Sequence, residues 1–374
     1  MKISRRAAIM GSAAAASIPF LGPFRQSGFS CSLPQVSHSI TPVIRDGVWI
    51  WDEPPEGQQG YLDGREFDVS VGVRWKSAGN ARNLAGATVA PVAFPEQEVT
   101  QFEIRKTDGC DAQVVNLTET AGQLQVTAPG IERGQTIEAA AVYRLKLYRV
   151  CPRYEADQFP SEQEVPRTLA DIALGNSPGI RSDLNAVKRI VDSISSRHDH
   201  PWETVKKFNT WVWENIRGMP GAYTSVRAAI ENGVGDCEER AGVFIALCRA
   251  AGIPARLVWV PNHSWAEFCL LDHDGVPHWI PCHTAAYNWF GWTGAHEVVL
   301  QKGDRVRTPG QNETVRLIND WYSFQGRRPT IEFFGSVTPV ATGDDDPGPG
   351  KREKDARGAW DLVGDHPADK TIRS

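Results

Sequence analysis

The chain has 374 residues, of which 41% are hydrophobic, and a net charge of −5 at pH 7 with both signs interspersed. That length exceeds one ordinary core and predicts two folded domains plus tails. The mild acidic balance argues against a nucleic-acid binder, and no apolar run of about 20 residues follows the N-terminus, so no membrane span is expected in the mature chain.

Residues 1–30 are read as an address rather than as fold. Ser4-Arg5-Arg6 precedes an Ala-rich, weakly apolar stretch with no acidic residue. This resembles a twin-arginine export signal and predicts a periplasmic or cell-envelope location after export in the folded state. A flexible basic tail is the plainer alternative. Cys31 stands where a lipid-attachment cysteine could lie, but Gly28-Phe29-Ser30 ahead of it lacks the expected leucine. The seven cysteines (31, 110, 151, 237, 248, 269 and 282) form no CxxC pair. Their odd number leaves at least one thiol unpaired within a monomer.

From 38 to 155 the hydrophobic period is two. "REFDVSVGVRW" puts Phe67, Val69, Val71, Val73 and Trp75 on one face, and "TIEAAAVYRLKLY" does so with Ile137, Ala139, Ala141, Tyr143, Leu145 and Leu147. Such alternation predicts half-buried antiparallel strands and a β-sandwich-like domain.

The period then lengthens. Leu184, Val187, Val191 and Ile194 recur at helical spacing, as do Val205, Phe208, Val212 and Ile216 behind Pro201. A third helix is expected from about Cys237 to Ala251, with Ala241, Phe244, Ile245 and Cys248 on its apolar face and Gly252 and Pro254 ending it. Strand-like runs follow in "ARLVWV", "SWAEFCLL" and "VPHWIPC". Residues 165–338 are therefore expected to form an α+β domain. The polar, Gly- and Pro-rich stretch 339–374 is expected to be a disordered tail.

The chemistry centres on "GVGDCEERAG", residues 233–242. Asp236 is placed to cap the helix and Cys237 to occupy its positive end. Only thiolate is a good nucleophile, and a thiol with pKa about 8.5 is roughly 3% ionised at neutral pH. Lowering that pKa to about 6 takes about 3.4 kcal/mol. A helix N-terminus supplies about 0.3–1 kcal/mol, so an imidazole partner is required. His263, at the expected start of the strand "HSWAEFCL", is the nearest candidate.

Together, "GDCEERAGVFIALCRAAGIPARLVWV", "HSWAEFCL" and "HWIPCHT" resemble the core of the transglutaminase-like superfamily, which has a papain-like fold. The resemblance spans roughly 180–340, with the specific motifs between 233 and 284. It implies Cys237 as nucleophile and His263 as base. In the family pattern the third member is an aspartate in "W-x-P-x-D", where this chain carries His283 in "WIPCHT". A neutral His283 can accept a hydrogen bond from the base, a weaker orienting device than a carboxylate. Asp272 and Asp274, in the turn "LDHDG", are poorly placed to substitute.

The resemblance implies amide-bond chemistry through an acyl-enzyme on a protein or peptide substrate, by peptidase, amidase or acyltransferase action, with no cofactor. Trp265 and Trp289 are candidate substrate contacts or core residues. Two other readings stay open: a catalytically impaired fold that binds peptides or envelope partners, and a Cys/His metal site or disulfide drawing on Cys269 and Cys282 with His263 and His283. Cys248 reads as core.

Overall fold

The computed structural model describes residues 43–45, 48–51, 53–219, 223–285, 288–308 and 314–340, together with the backbone of 351–354 and 360–363. The candidate export signal, Cys31 and most of the tail lie outside the described residues. The fold is mixed α+β, with a β-rich N-terminal region.

After a short hairpin of Val43–Arg45 and Val48–Ile50 come six antiparallel strands: β1 (Gly60–Lys76), β2 (Ala81–Ala90), β3 (Gln97–Lys106), β4 (Asp111–Thr118), β5 (Ala121–Ile131) and β6 (Thr136–Cys151). The alternation read from the sequence is the packing pattern. Phe67, Val69, Val71, Val73 and Trp75 of β1 are buried, as are the six named residues of β6. They meet Leu84 of β2 and Leu124 and Val126 of β5 in one core between two sheets.

Helices α1 (Arg167–Ala173), α2 (Asn185–Ile194), α3 (Pro201–Asn215), α4 (Val226–Asn232) and α5 (Cys237–Ala250) follow. Pro201 is the first residue of α3, where a missing N–H costs nothing. α4 ends on Gly233, whose φ of 65° a side chain would resist. α5 is more deeply enclosed than one apolar stripe implies, because Glu239 through Arg249 are all buried. Strands β7 (Ala255–Val260), β8 (His263–Leu271) and β9 (Pro277–Cys282) complete the α+β half. α2, α3 and α4 cover α5 on one side and β7 and β8 on the other.

After β9 the chain adds β10 (Gln301–Lys302), β11 (Trp321–Gly326) and β12 (Thr330–Pro339). One sheet runs β9-β8-β7-β10-β5-β2-β11, with β4 also beside β5, so it is continuous through both halves. The other runs β12-β1-β6-β3 and is extended past β12 by strands 351–354 and 360–363. One expectation changes here. Strands β11 and β12, assigned by sequence to the second domain, hydrogen-bond to β2 and β1 of the first. Ile331, Phe333 and Val337 of β12 pack on the sandwich core, which rewards that pairing. Strands 351–354 and 360–363 fall within 339–374, the stretch expected to be a disordered tail, most of which lies outside the described residues.

The short strand β10 carries the junction between the halves. Lys302 Nζ lies 2.5 Å from both Glu96, of the sandwich, and Glu267, of β8. Arg256 adds a contact to Glu267 at 2.6 Å. Burial opposes ionisation of Glu267, but the two cations outweigh it and hold its carboxyl below the usual range. Beside them the buried Gln97 side chain donates to Val92 O at 2.8 Å and Val299 O at 2.9 Å, and accepts from Val299 N–H at 2.7 Å. These bonds fix how the sandwich meets β7 and β8, and so set the shape of the cleft between them. No helix among the described residues is long and apolar enough to cross a membrane.

Candidate active site

The start of α5 is closed by a reciprocal cap. Asp236 Oδ1 accepts the N–H groups of Glu238 (2.9 Å) and Glu239 (3.1 Å), and Glu239 Oε2 accepts the Asp236 N–H at 2.8 Å. Glu239 Oε1 accepts from Thr224 N–H at 2.8 Å, which ties in the approach to α4. Gly235 is needed here for space, since a Cβ at that position would sit 2.8 Å from Glu239 Cβ. The cap leaves the N–H of Cys237 unused, at the positive end of the helix.

Cys237 opens onto a cavity of about 490 Å³. Asp236, Cys237 and Glu238 form one wall, residues 259, 260 and 262–264 of the β7–β8 hairpin the second, and Leu317–Asp320 with Val89 and Leu300 the third. Cys237 and His263 thus line one space. The hairpin turns at Pro261-Asn262, and Asn262 takes a φ of 60°, a conformation asparagine tolerates well. Beyond the turn, strand alternation separates two sets of side chains. Ala266 and Phe268 face α5 and share its core, whereas Trp265 packs with Val258, Val260 and Val299 on the other face. Ser264 belongs to the first set and His263, at the strand's end, to the second.

Ser264 lies against the Cys237 sulfur, with its N–H and hydroxyl favouring thiolate. Burial nevertheless pushes the thiol up, and the charges of Asp236 and Glu238 push the same way. This corrects the expectation of a thiol ionised at rest: a capping carboxylate and a second acidic residue stand at the helix end that was to lower its pKa. Glu238 is itself unusual. Burial lifts its carboxyl to about 7, against the opposing charge of Arg316, whose Nε donates to Glu238 Oε1.

His283 follows β9 and is fully buried. The register Ala266↔Cys282 sets it opposite Trp265, and the two rings stack 4.8 Å apart at 19°. Trp289 meets it edge-on at 4.9 Å, and the His263 ring centroid is 5.9 Å away. Burial first, and then the neighbouring His263, hold the His283 pKa well below that of free imidazole. His283 is therefore a neutral ring at physiological pH. Trp265 and Trp289 are 3% and 5% exposed and do not line the cavity. They are the walls of the His283 compartment rather than substrate contacts, because their faces and edges are spent on that ring.

The remaining sequence candidates separate cleanly. Asp272 accepts from His278 Nε2 at 2.8 Å just past the far end of β8, about 30 Å along the strand from His263. Cys282 lies opposite Ala266 on the α5 face and Cys269 opposite Trp279 on the other. The sheet therefore stands between them, which rules out both the disulfide and the shared metal site. Cys248 is core, fully buried on α5. Sequence reasoning missed Ser264, Trp259, Glu238 and the segment 317–320. For Ser264 and Trp259 a signal existed, since both flank His263 in a hairpin whose register follows from its short turn.

Residues 188–284 match the family model of the transglutaminase-like superfamily. A candidate cysteine protease from Cytophaga hutchinsonii aligns with TM-score 0.50 and 16% identity, covering 76% of this chain and 93% of its own. A candidate protease from Parabacteroides distasonis aligns more remotely, with TM-score 0.25 and 13% identity over 57% of this chain and 42% of its own. No curated protein matches. The first of these similarities extends the shared fold over both halves. With the capped Cys237, the hairpin His263 and β9 in the expected order, residues 188–284 of this chain are a transglutaminase-like core.

Proposed function

We propose that this protein is a thiol enzyme acting on amide bonds, with Cys237 as nucleophile and His263 as general base. The observation that carries the reading is that both residues line one cavity at the mouth of a buried, capped helix. Because the thiol is protonated at rest, its proton passes to His263 as the sulfur–carbon bond forms, rather than beforehand. The carbonyl π electrons become an oxyanion, to which the Cys237 N–H is placed to donate a hydrogen bond. Collapse breaks the C–N bond, the amine leaves with the proton held on His263, and an acyl-enzyme remains. Water then completes hydrolysis, or an amine completes transfer. We favour hydrolysis of a peptide in the bacterial envelope, the compartment that the twin-arginine segment predicts.

The test is acylation by 4-nitrophenyl acetate, followed as a burst of nitrophenolate. The native protein is expected to give one burst equivalent, trapped on Cys237. Cys237→Ala should abolish it, and His263→Ala should slow it by about 10³-fold or more. A native-sized burst from Cys237→Ala would end the proposal.

One observation favours a second reading, in which the cleft binds peptides without turning them over. His283, neutral and enclosed, stands where the family pattern has a carboxylate. If the native protein is inert on a broad amide panel and His283→Asp gains turnover, the binding-module reading replaces the enzyme.

A further inference from the structure

Arg149, Arg240, Arg249 and Lys302 are the buried cations among the described residues. Three of them face a carboxylate. Arg149 has Asp63, Arg249 has Asp304, and Lys302 has both Glu96 and Glu267. Arg240 is 6% exposed and has no carboxylate among the described residues. Burial alone acts on its guanidinium and pulls the pKa down, with no neighbouring charge to offset it. A guanidinium does not deprotonate in a protein, so the charge stays. A buried charge is costly unless it is paired, and this chain supplies no pair.

Arg240 rests instead on an aromatic ring. Its guanidinium carbon lies 4.8 Å from the centroid of Trp213, on α3. Nη2 reaches Trp213 O only at a long 3.5 Å, and Nε has no partner among the described residues. Nη1 lies behind Gly218, in the two-residue strand Arg217–Gly218 that pairs in parallel with Val234–Gly235 just ahead of α5. A Cβ on Gly218 would stand 3.3 Å from Nη1. The φ of Gly218 is not left-handed, so backbone conformation does not call for glycine there. Gly218 and Trp213 are both exposed. The cation therefore lies just beneath the surface, under a position that carries no side chain.

Place on the helix ties this cation to the nucleophile. Cys237 and Arg240 are three residues apart on α5, which puts their Cβ atoms about 5–6 Å from each other. Glu238 takes the other flank of Cys237, where it lines the cavity. A peptide that crosses the thiol from the cavity towards α3 meets Arg240.

We infer that Arg240 is a substrate anchor, whose missing carboxylate comes from the ligand. The substrate class is a peptide carrying a carboxylate, as an acidic side chain or a free C-terminus, within a few residues of the carbonyl that Cys237 attacks. The inference rests on the thiol-enzyme reading above for the reaction, and its test separates the two.

Three iodoacetyl probes of Cys237 test it. Iodoacetyl-glycine carries a free C-terminus, iodoacetyl-isoglutamine a side-chain carboxylate, and iodoacetyl-glycinamide is neutral. Each reacts alike: the sulfur–carbon bond forms, the carbon–iodine bond breaks, iodide leaves and the thiol proton passes to His263. The native protein is expected to alkylate with at least one carboxylate probe about 10-fold or more faster than with the neutral one. Which carboxylate probe leads identifies the source of the carboxylate. Arg240→Gln should lose the preference and keep the native rate with the neutral probe. Gly218→Ala leaves the charge in place and sets a methyl against Nη1, so it should cut the preference at least threefold in a protein whose helix is untouched. Equal rates with all three probes in the native protein would overturn the anchor, and so would a preference that survives both substitutions. Alkylation needs no acyl chemistry. A protein with the preference but no Cys237-dependent burst from 4-nitrophenyl acetate would lose the enzyme reading and keep the anchor.

Discussion

The two ends of α5 are built to opposite specifications. At the C-terminal end Arg249, wholly buried, is satisfied throughout. It donates to the carbonyls of Ala173, Ala255 and Gly175 at 2.7–3.1 Å, to Ser177 Oγ at 3.3 Å, and to both oxygens of the equally buried Asp304 at 2.8 and 2.9 Å. A cation there also complements the helix dipole. At the N-terminal end the cap is closed too, but the groups around it are not. Trp259 Nε1 goes unmatched, Glu238 is held near its titration point, and burial raises the Cys237 thiol. One end holds the helix in place, and the other faces the cavity. The lesson is that one helix can carry a closed ionic network at one end and a raised thiol beside a cavity at the other.

Breaking the satisfied end should produce the largest change in stability. Asp304→Ala leaves the Arg249 charge buried without its carboxylate and is expected to cost about 3–5 kcal/mol in denaturant unfolding. A loss under about 1 kcal/mol would mean that the carbonyls alone suffice, and the contrast between the ends would weaken. Disturbing the unsatisfied end should change chemistry more than stability. His283→Ala removes the neutral ring that His263 faces, and acylation of Cys237 is expected to slow by about 10²-fold, less than the roughly 10⁴-fold seen where a carboxylate orients the base. A rate within twofold of native would remove His283 from the machinery.

Glu238→Gln makes the smallest and most diagnostic change. Its negative charge disfavours the Cys237 thiolate, so removing it should move the midpoint of iodoacetamide alkylation to lower pH. The same substitution should alter how stability follows pH. Burial raises the Glu238 carboxyl from 4.5 to about 7, so the folded protein binds a proton that the unfolded chain has released. That contribution is complete below about pH 4.5 and is lost as pH rises through about 7. Thermal unfolding of the native protein across this window should therefore show a decline that Glu238→Gln lacks. Parallel curves would place the carboxyl at its ordinary value.

Much of this was legible beforehand, for identifiable reasons. The period-two runs in β1 and β6 and the helical spacing in α2 and α3 are local, and burial follows them residue by residue. The Gly-Asp-Cys start of α5 carries its own cap, so the placement of Cys237 needed no tertiary information. Trp265 and Trp289 were ambiguous because an aromatic looks the same in sequence whether it lines a cleft or walls a buried histidine. β11 and β12 were assigned to the wrong half because a strand's pattern states that it has a buried face but not which edge it will join.

By itself, the sequence determined the elements, the position of the thiol on a helix terminus and the order in which nucleophile and base appear, since periodicity and capping act within a few residues. Tertiary structure decided the rest. The register of β8 against β7 put Trp259 beside Ser264, the register of β9 buried His283 between two indoles, and burial, with the carboxylates beside it, raised the Cys237 thiol. Each depends on which distant groups share a small, poorly solvated volume, and there a single unmatched donor or charge outweighs any local preference.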